Sequence, residues 1–480
     1  MGLEAIVITL ATYLAILFGV AWLTSRGANS ASFFTAGRNT PRGVAAIAMV
    51  GAAMSGVTYI SVPGTVAADG FSYLQTTLGF FVGYIIIAFV LIPLYYRTGV
   101  VSLYEYLNKR FNLTAQRTGA WLFFISKLLS ASLRAFVICA VLQGVLYERW
   151  EIPFWANALI MMTLVWLYTR RGGVKAVVWI EMVKTILMVS SIVLCITFVI
   201  KALDLNFGEA LSTIHRSDYS QILFFDNPLD RRYFWKQFVA GIFLVVAMTG
   251  LDQDMMQTML SCRTQRDSQR SMMQSIVIQA VVIALFLSLG TLLYTFIDSR
   301  GLSVERGDDL FGFVAIECGL PAIVGVAFLL GLVASTYSSA GSALTALTTS
   351  FTIDILGYNG NTESVNKVRR YVHIAIALMM CGVIMVFGRW SSAGVITLIF
   401  TMASYTYGPL LGMFAFGLMS KRSVRGWAIP IIALASPAIS YLISANATNW
   451  FAGYAFSYEI LIVNAALSIL GLWAFSRKGE

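Results

Sequence analysis

The sequence predicts an all-α polytopic membrane protein with about 13 transmembrane helices. Three compositional figures and one pattern carry that expectation. Of the 480 residues, 58% are hydrophobic and only 12% are charged, against about 25% charged in a typical soluble domain. Mean hydropathy is +0.77. The pattern is the recurrence of apolar runs near the ~20 residues that cross a hydrocarbon core. This composition excludes disorder, collagen, coiled coil and a secreted disulfide scaffold. No HExxH, paired CxxC, Walker A or GxGxxG motif is present, so ATP-driven transport within the chain and enzymatic chemistry are not expected. The cysteines Cys139, Cys195, Cys262, Cys318 and Cys381 are scattered, mostly in apolar runs, and read as small core residues. The partner implied is the lipid bilayer. Neither a nucleic acid nor an obligate protein partner is expected.

Taken in order, the first span (3–24) has no basic flank and no A-x-A site, so it is expected to be a retained helix. Apolar windows place further spans near 42–66, 71–96, 118–146, 153–170 and 176–203. The stretch 204–232 is acidic and aromatic and is expected to cap the outer surface. Spans resume near 234–262, 272–298, 321–356, 368–388 and 393–419, and two more follow near 425–444 and 454–475. Lysine and arginine set the orientation. One alternate set of loops, with the C-terminal tail, holds 21 of them and the other set holds 9. The richer set is expected on the cytoplasmic side of an inner cell membrane, which puts the N-terminus outside and the C-terminus inside.

Two spans are too rich in glycine and serine for plain lipid-facing helices. The first contains "AMVGAAMSGVTYISVPGTVAADG" (48–70), with Gly51, Gly56, Gly64 and Pro63 among Ser55, Thr58 and Ser61. It is either a close helix contact made by small residues or a discontinuous helix whose freed carbonyls coordinate a cation. The second is "LLGLVASTYSSAGSALTALTTSFTIDIL" (329–356). There Ser335, Ser338, Ser339 and Ser342 share one helical face, for close packing or as neutral oxygen ligands of Na⁺.

Charges inside spans are costly and are functional candidates by default. Glu181 lies three residues before Lys184, so it forms a local ion pair or supports a cation. Lys127 is expected to snorkel to the inner interface. Arg134 is mid-span, and either pairs with a buried carboxylate or faces a cavity and takes an anionic substrate. Asp252 and Asp254 are expected to make structural or gating hydrogen bonds.

These residues, together with "FFTAGRNTPRGVAAIAM", "MSGVTYISVPG", "TRRGGVKAVVWIE", "GLDQDMMQ" and "ASTYSSAGSALTALTTSFTIDI", make the chain resemble the sodium:solute symporter family over roughly 33–425. The resemblance implies a LeuT-type core of two inverted five-helix repeats, 42–203 and 234–419, joined by an external loop over 204–233. An extra N-terminal helix and cytoplasmic loop (1–41) precede it, and two C-terminal helices (420–480) follow. It implies Na⁺ as coupling ion, with a main site formed by the carbonyls of Gly51 and Met54 and by Ser335, Ser338 and Ser339. A second Na⁺ would use Glu181, Ser338 and Ser342. Glu181 stands where the family has an aspartate, and Gly341 replaces a serine. Arg134 falls where sialic acid-transporting members hold a carboxylate, and Ser55, Thr58, Tyr73 and Thr77 are the other substrate-binding positions implied. The function implied is Na⁺-coupled import of a small polar, carboxylated, sialic acid-like solute by alternating access. The alternative is a neutral sugar, inositol or amino acid.

Overall fold

The computed structural model describes residues 3–25, 30–358, 362–390 and 395–477. Among the described residues eight helices are long and apolar enough to cross a membrane, or ten when each of two bent pairs is one span; Ile460–Ala474 is a shorter apolar helix. By that measure the expected thirteen spans are not all met, although the all-α membrane architecture is.

The first bent pair is the glycine-rich span. Arg42–Ala53 and Gly56–Asp69 meet at 62° across the extended residues Met54 and Ser55. The break falls well before Pro63, which lies inside the second half-helix. Thr58 Oγ1 accepts the Ser55 N–H at 3.3 Å, which starts the second half-helix with a donor satisfied.

The second bent pair departs from expectation. The run near 234–262 is not one helix: Phe234–Val245 continues through a wide turn over Val246–Gly250, and Gln253–Leu260 leaves at 69°. Asp252 caps the second half, accepting Asp254 N–H at 2.8 Å. The freed carbonyls of Gly250 and Leu251 accept the hydroxyls of Tyr95 and Tyr104 at 2.9 and 3.0 Å. Gln253 holds the backbone of Val101 and Leu103. The partners of Gly250, Leu251 and Gln253 come from a distant part of the chain, so the only local signal at the break is the capping Asp252.

The spans expected near 153–170 and 176–203 form one helical path, Phe154–Ala202, turned at Gly173 where φ is 49°. A Cβ at Gly173 would also lie 2.6 Å from the Phe33 ring, so glycine is required there twice over. This kinked helix packs along the serine helix, Ala322–Ser350, and along Arg42–Ala53. A further helix not expected from hydropathy, Gly307–Ile316, lies against Gly56–Asp69.

The stretch 204–232 holds two short helical pieces, Phe207–Arg216 and Asp218–Ser220. Phe207–Arg216 starts with a capping box between Asn206 and Glu209. Gln75 then ties the segment down, accepting Phe224 N–H at 3.1 Å and donating to Arg232 O at 2.8 Å. Hydrogen bonding from Arg232 holds the half-buried Asp230 carboxyl below its usual range. All five cysteines are buried and unbridged.

Candidate functional site

The first break, the serine helix and the kinked helix converge on one point. Gly51 O and Ser339 Oγ, both expected Na⁺ ligands, are brought together there, and the group between them is the Lys184 ammonium. Its Nζ donates to Gly51 O at 2.5 Å, to Ser339 Oγ at 2.9 Å and to Glu181 Oε2 at 2.8 Å. Ser335 is fully buried with no partner for its hydroxyl, and Ser338 lies beside the Glu181 carboxyl. Met54 is buried at the break, its N–H bonded to Val50 O and Gly51 O. Gly51 is what lets the kinked helix come this close. A methyl there would sit 2.5 Å from Thr185 Oγ1 and 2.6 Å from Glu181 O. Gly51→Ala is therefore expected to cost about 1–3 kcal/mol by overpacking, read as a lower melting temperature in detergent.

For the second Na⁺, two of the three expected ligands are committed elsewhere. Glu181 pairs with Lys184, and the Ser342 hydroxyl donates to Asp254 Oδ1. Gly341 has its own reason: a Cβ would collide with the Tyr168 hydroxyl, which donates to Tyr337 O at 2.6 Å.

Lys127 does not snorkel. It is 4% exposed and pairs with Asp252 at 3.1 Å and Asp254 at 2.6 Å. The cause is the second break, which turns both carboxylates inward; Asp252 also accepts the Tyr407 hydroxyl at 2.6 Å. A narrow cleft lined by Lys127, Arg134, Glu181, Asp254, Ser339 and Ser342 links this cluster to the Lys184 region. The acids nearest Arg134 are thus taken by Lys127. Among the described residues no carboxylate forms an ion pair with Arg134, and its Nε is buried without a hydrogen bond.

Arg134 instead reaches a second cavity of about 70 Å³, walled by Tyr73, Tyr84, Thr249, Gln279 and the apolar Phe80, Leu244, Val245, Met248, Met255 and Phe400. Tyr73 and Phe400 also line an open vestibule beside the 204–232 stretch, so these two rings stand between vestibule and cavity. Of the expected solute contacts, Tyr73 and Arg134 are here. Ser55 and Thr58 are engaged with one another at the break, and Thr77 donates to Tyr73 O within its own helix. Thr249 and Gln279 are cavity residues that sequence reasoning missed. Gln279 sits in the regular helix Gln265–Ser299 and Thr249 in the wide turn before the second break, and only the fold turns them to the cavity.

Comparison with known proteins places this geometry. The sequence model of the "Sodium:solute symporter family" matches residues 33–429. The chain is 25% identical over 433 residues to the sodium-coupled monocarboxylate transporter 1 of Xenopus laevis, covering 87% of this chain and 68% of that protein. It is 24% identical over 431 residues to the human sodium/iodide cotransporter, covering 87% and 65%. Its fold matches the solved outward-open, substrate-bound structure of a Na⁺-coupled sialic acid symporter with a TM-score of 0.81 at 16% identity, over 99% of both chains.

Proposed function

Because this chain belongs to the sodium:solute symporter family, and so is a multi-pass membrane protein whose coupling ion is Na⁺, we propose that the solute it moves is a compact monocarboxylate held by Arg134. The coarser statement, a Na⁺-coupled solute symporter and not an enzyme, follows from the family. One observation carries the finer one: the Arg134 guanidinium lines the cavity with no carboxylate paired to it and with its Nε unsatisfied. A half-buried cation in that state favours an arriving anion, and its planar fork matches a carboxylate in two parallel hydrogen bonds.

The remaining wall sets the body of the solute. Phe80, Leu244, Val245, Met248, Met255 and Phe400 offer apolar surface, while Thr249 and Gln279 offer few polar contacts. Gln279 Oε1 is already engaged by the Tyr84 hydroxyl at 2.8 Å. That lining suits a carboxylate with a short apolar body better than a polyhydroxylated sialic acid. It also disfavours a neutral sugar, which would leave Arg134 uncompensated.

In this reading the vestibule side is outside, as the distribution of lysine and arginine implies, and the N-terminus is outside and the C-terminus inside. Tyr73 and Phe400 form the outer lid. The repeats 42–203 and 234–419 supply the two broken spans that rock about the site. Na⁺ binds at Gly51, Met54, Ser335, Ser338 and Ser339. Stoichiometry then matters. Each Na⁺ gains ~2.3 kcal/mol per 100 mV and ~1.4 kcal/mol per tenfold gradient. With one Na⁺ per monoanion the potential cancels, and only the concentration term drives uptake.

The test is uptake into proteoliposomes across a panel of carboxylates and neutral solutes, with the membrane potential imposed. Saturable Na⁺-driven uptake of short carboxylates is expected. Ser339→Ala is expected to raise the Na⁺ concentration for half-maximal uptake severalfold with expression intact. Transport of a neutral sugar, with no carboxylate bound, would sink the assignment of Arg134.

A further inference from the structure

We infer that Lys184 is a tethered cation resident in the main Na⁺ site, and that Na⁺ reaches its ligands only by displacing the Lys184 ammonium. This rests on the ligand assignment above and adds the residue that sets how readily Na⁺ takes the site.

Three observations carry it. First, the ammonium touches the groups assigned to Na⁺. Gly51 O at 2.5 Å comes from the first break and Ser339 Oγ at 2.9 Å from the serine helix. The third contact, Glu181 Oε2 at 2.8 Å, is the acid assigned to a second Na⁺. Secondly, an ammonium has three donors and no acceptor, and these three oxygens, from three separate elements, use all of them. Lys184 is 1% exposed, so no water competes for its protons. Thirdly, the site is built to hold a cation and not merely to bury a lysine. The Ser335 hydroxyl, one turn from Ser339, is fully buried with no partner. Ser339 donates to Ser335 O at 2.8 Å, which leaves its lone pairs turned toward Lys184.

A simple ion pair between Glu181 and Lys184 needs none of this. Residues three apart on a helix meet without help from elsewhere, and a surplus proton on the ammonium would ordinarily go to its own helix. Here it is spent on the broken span and the serine helix, the two elements that must separate and close during alternating access. Lys184 thus holds those elements together with the cation it carries. Na⁺ entering the same oxygens must move that cation aside, into the cleft toward Asp254 and Ser342. Displacement puts one more positive charge among Lys127, Arg134 and Lys184. A carboxylate arriving at Arg134 offsets it, so Na⁺ and solute favour each other's binding.

The experiment is thermal stabilisation of the purified full-length protein by Na⁺ at constant ionic strength, with choline as the replacement cation. Lys184→Met frees Gly51 O and Ser339 Oγ, and the Na⁺ midpoint is expected to fall about tenfold or more, with a correspondingly larger rise in melting temperature at saturating Na⁺. That variant leaves Glu181 unpaired and can fail to fold. The paired variant Glu181→Gln with Lys184→Met removes both charges, and its midpoint is also expected to fall below that of the wild type. Adding Ser339→Ala to either variant is expected to abolish the gain. A folded variant with an unchanged or raised midpoint overturns the inference. No solute is present in this measurement, so a wrong solute assignment would leave its outcome unchanged.

Discussion

Arg134→Lys is expected to give a folded protein that still responds to Na⁺ and has lost roughly 10- to 100-fold of its affinity for a carboxylate solute. The lysine keeps the charge and loses the fork: a point-like ammonium cannot donate two parallel hydrogen bonds to one carboxylate. The loss should appear in KM for uptake. Stability should change little, because no described carboxylate pairs with Arg134 and none is orphaned by the change. Arg134→Ala is expected to be worse for uptake and again tolerated by the fold. A carboxylate KM that stays at the wild-type value in Arg134→Lys would show that the guanidinium does not grip the solute.

Lys127→Met is expected to do the opposite, sparing the solute cavity and damaging the fold. It removes the ammonium between Asp252 and Asp254, which lies 3.1 and 2.6 Å from their carboxylates, and leaves two buried anions side by side. Breaking a buried pair by removing one partner costs about 3–5 kcal/mol, a large share of the roughly 5–15 kcal/mol that holds a typical protein folded. Low yield and a depressed melting temperature are expected. Asp254→Asn in the same chain should restore part of the loss, since the two changes are coupled through contact. Asp252→Asn should restore less, because Asp252 also caps Gln253–Leu260 and accepts the Tyr407 hydroxyl. A single Lys127→Met variant with wild-type melting behaviour would mean that the cluster is solvated and carries no such load.

The two predictions separate positions that look alike in the chain. Lys127 and Arg134 lie on one helix, Leu113–Leu142, and both are cations in an apolar run. What divides their roles is the second break. It delivers Asp252 and Asp254 to Lys127 and leaves Arg134 facing the cavity. Little near "MTGLDQD" announces a turn of 69° there beyond the capping Asp252; no proline is present, and a single glycine is common in transmembrane helices. The first break was legible because glycine and serine are dense around it, and because a helix that frees carbonyls inside a membrane must have something polar to offer them to.

The sequence by itself determined the solvent and the periodicity: a chain that is 58% hydrophobic and 12% charged must live in lipid, and its apolar runs must be helices because a bilayer satisfies no backbone group. It also determined the serine face and narrowed the first span to a close helix contact or an interruption, since both are local patterns of small and polar residues; the 62° break decided between them. Tertiary structure alone decided what fills them. The ammonium at Gly51 and Ser339 comes from residue 184, more than a hundred residues from either break partner or serine. The partners of Lys127 lie as far away. Hydropathy and spacing report which face of a helix is buried. They do not report which distant group lies opposite that face, and in a low-dielectric interior that opposing group decides whether a charge is a structural pair, a ligand or a competitor.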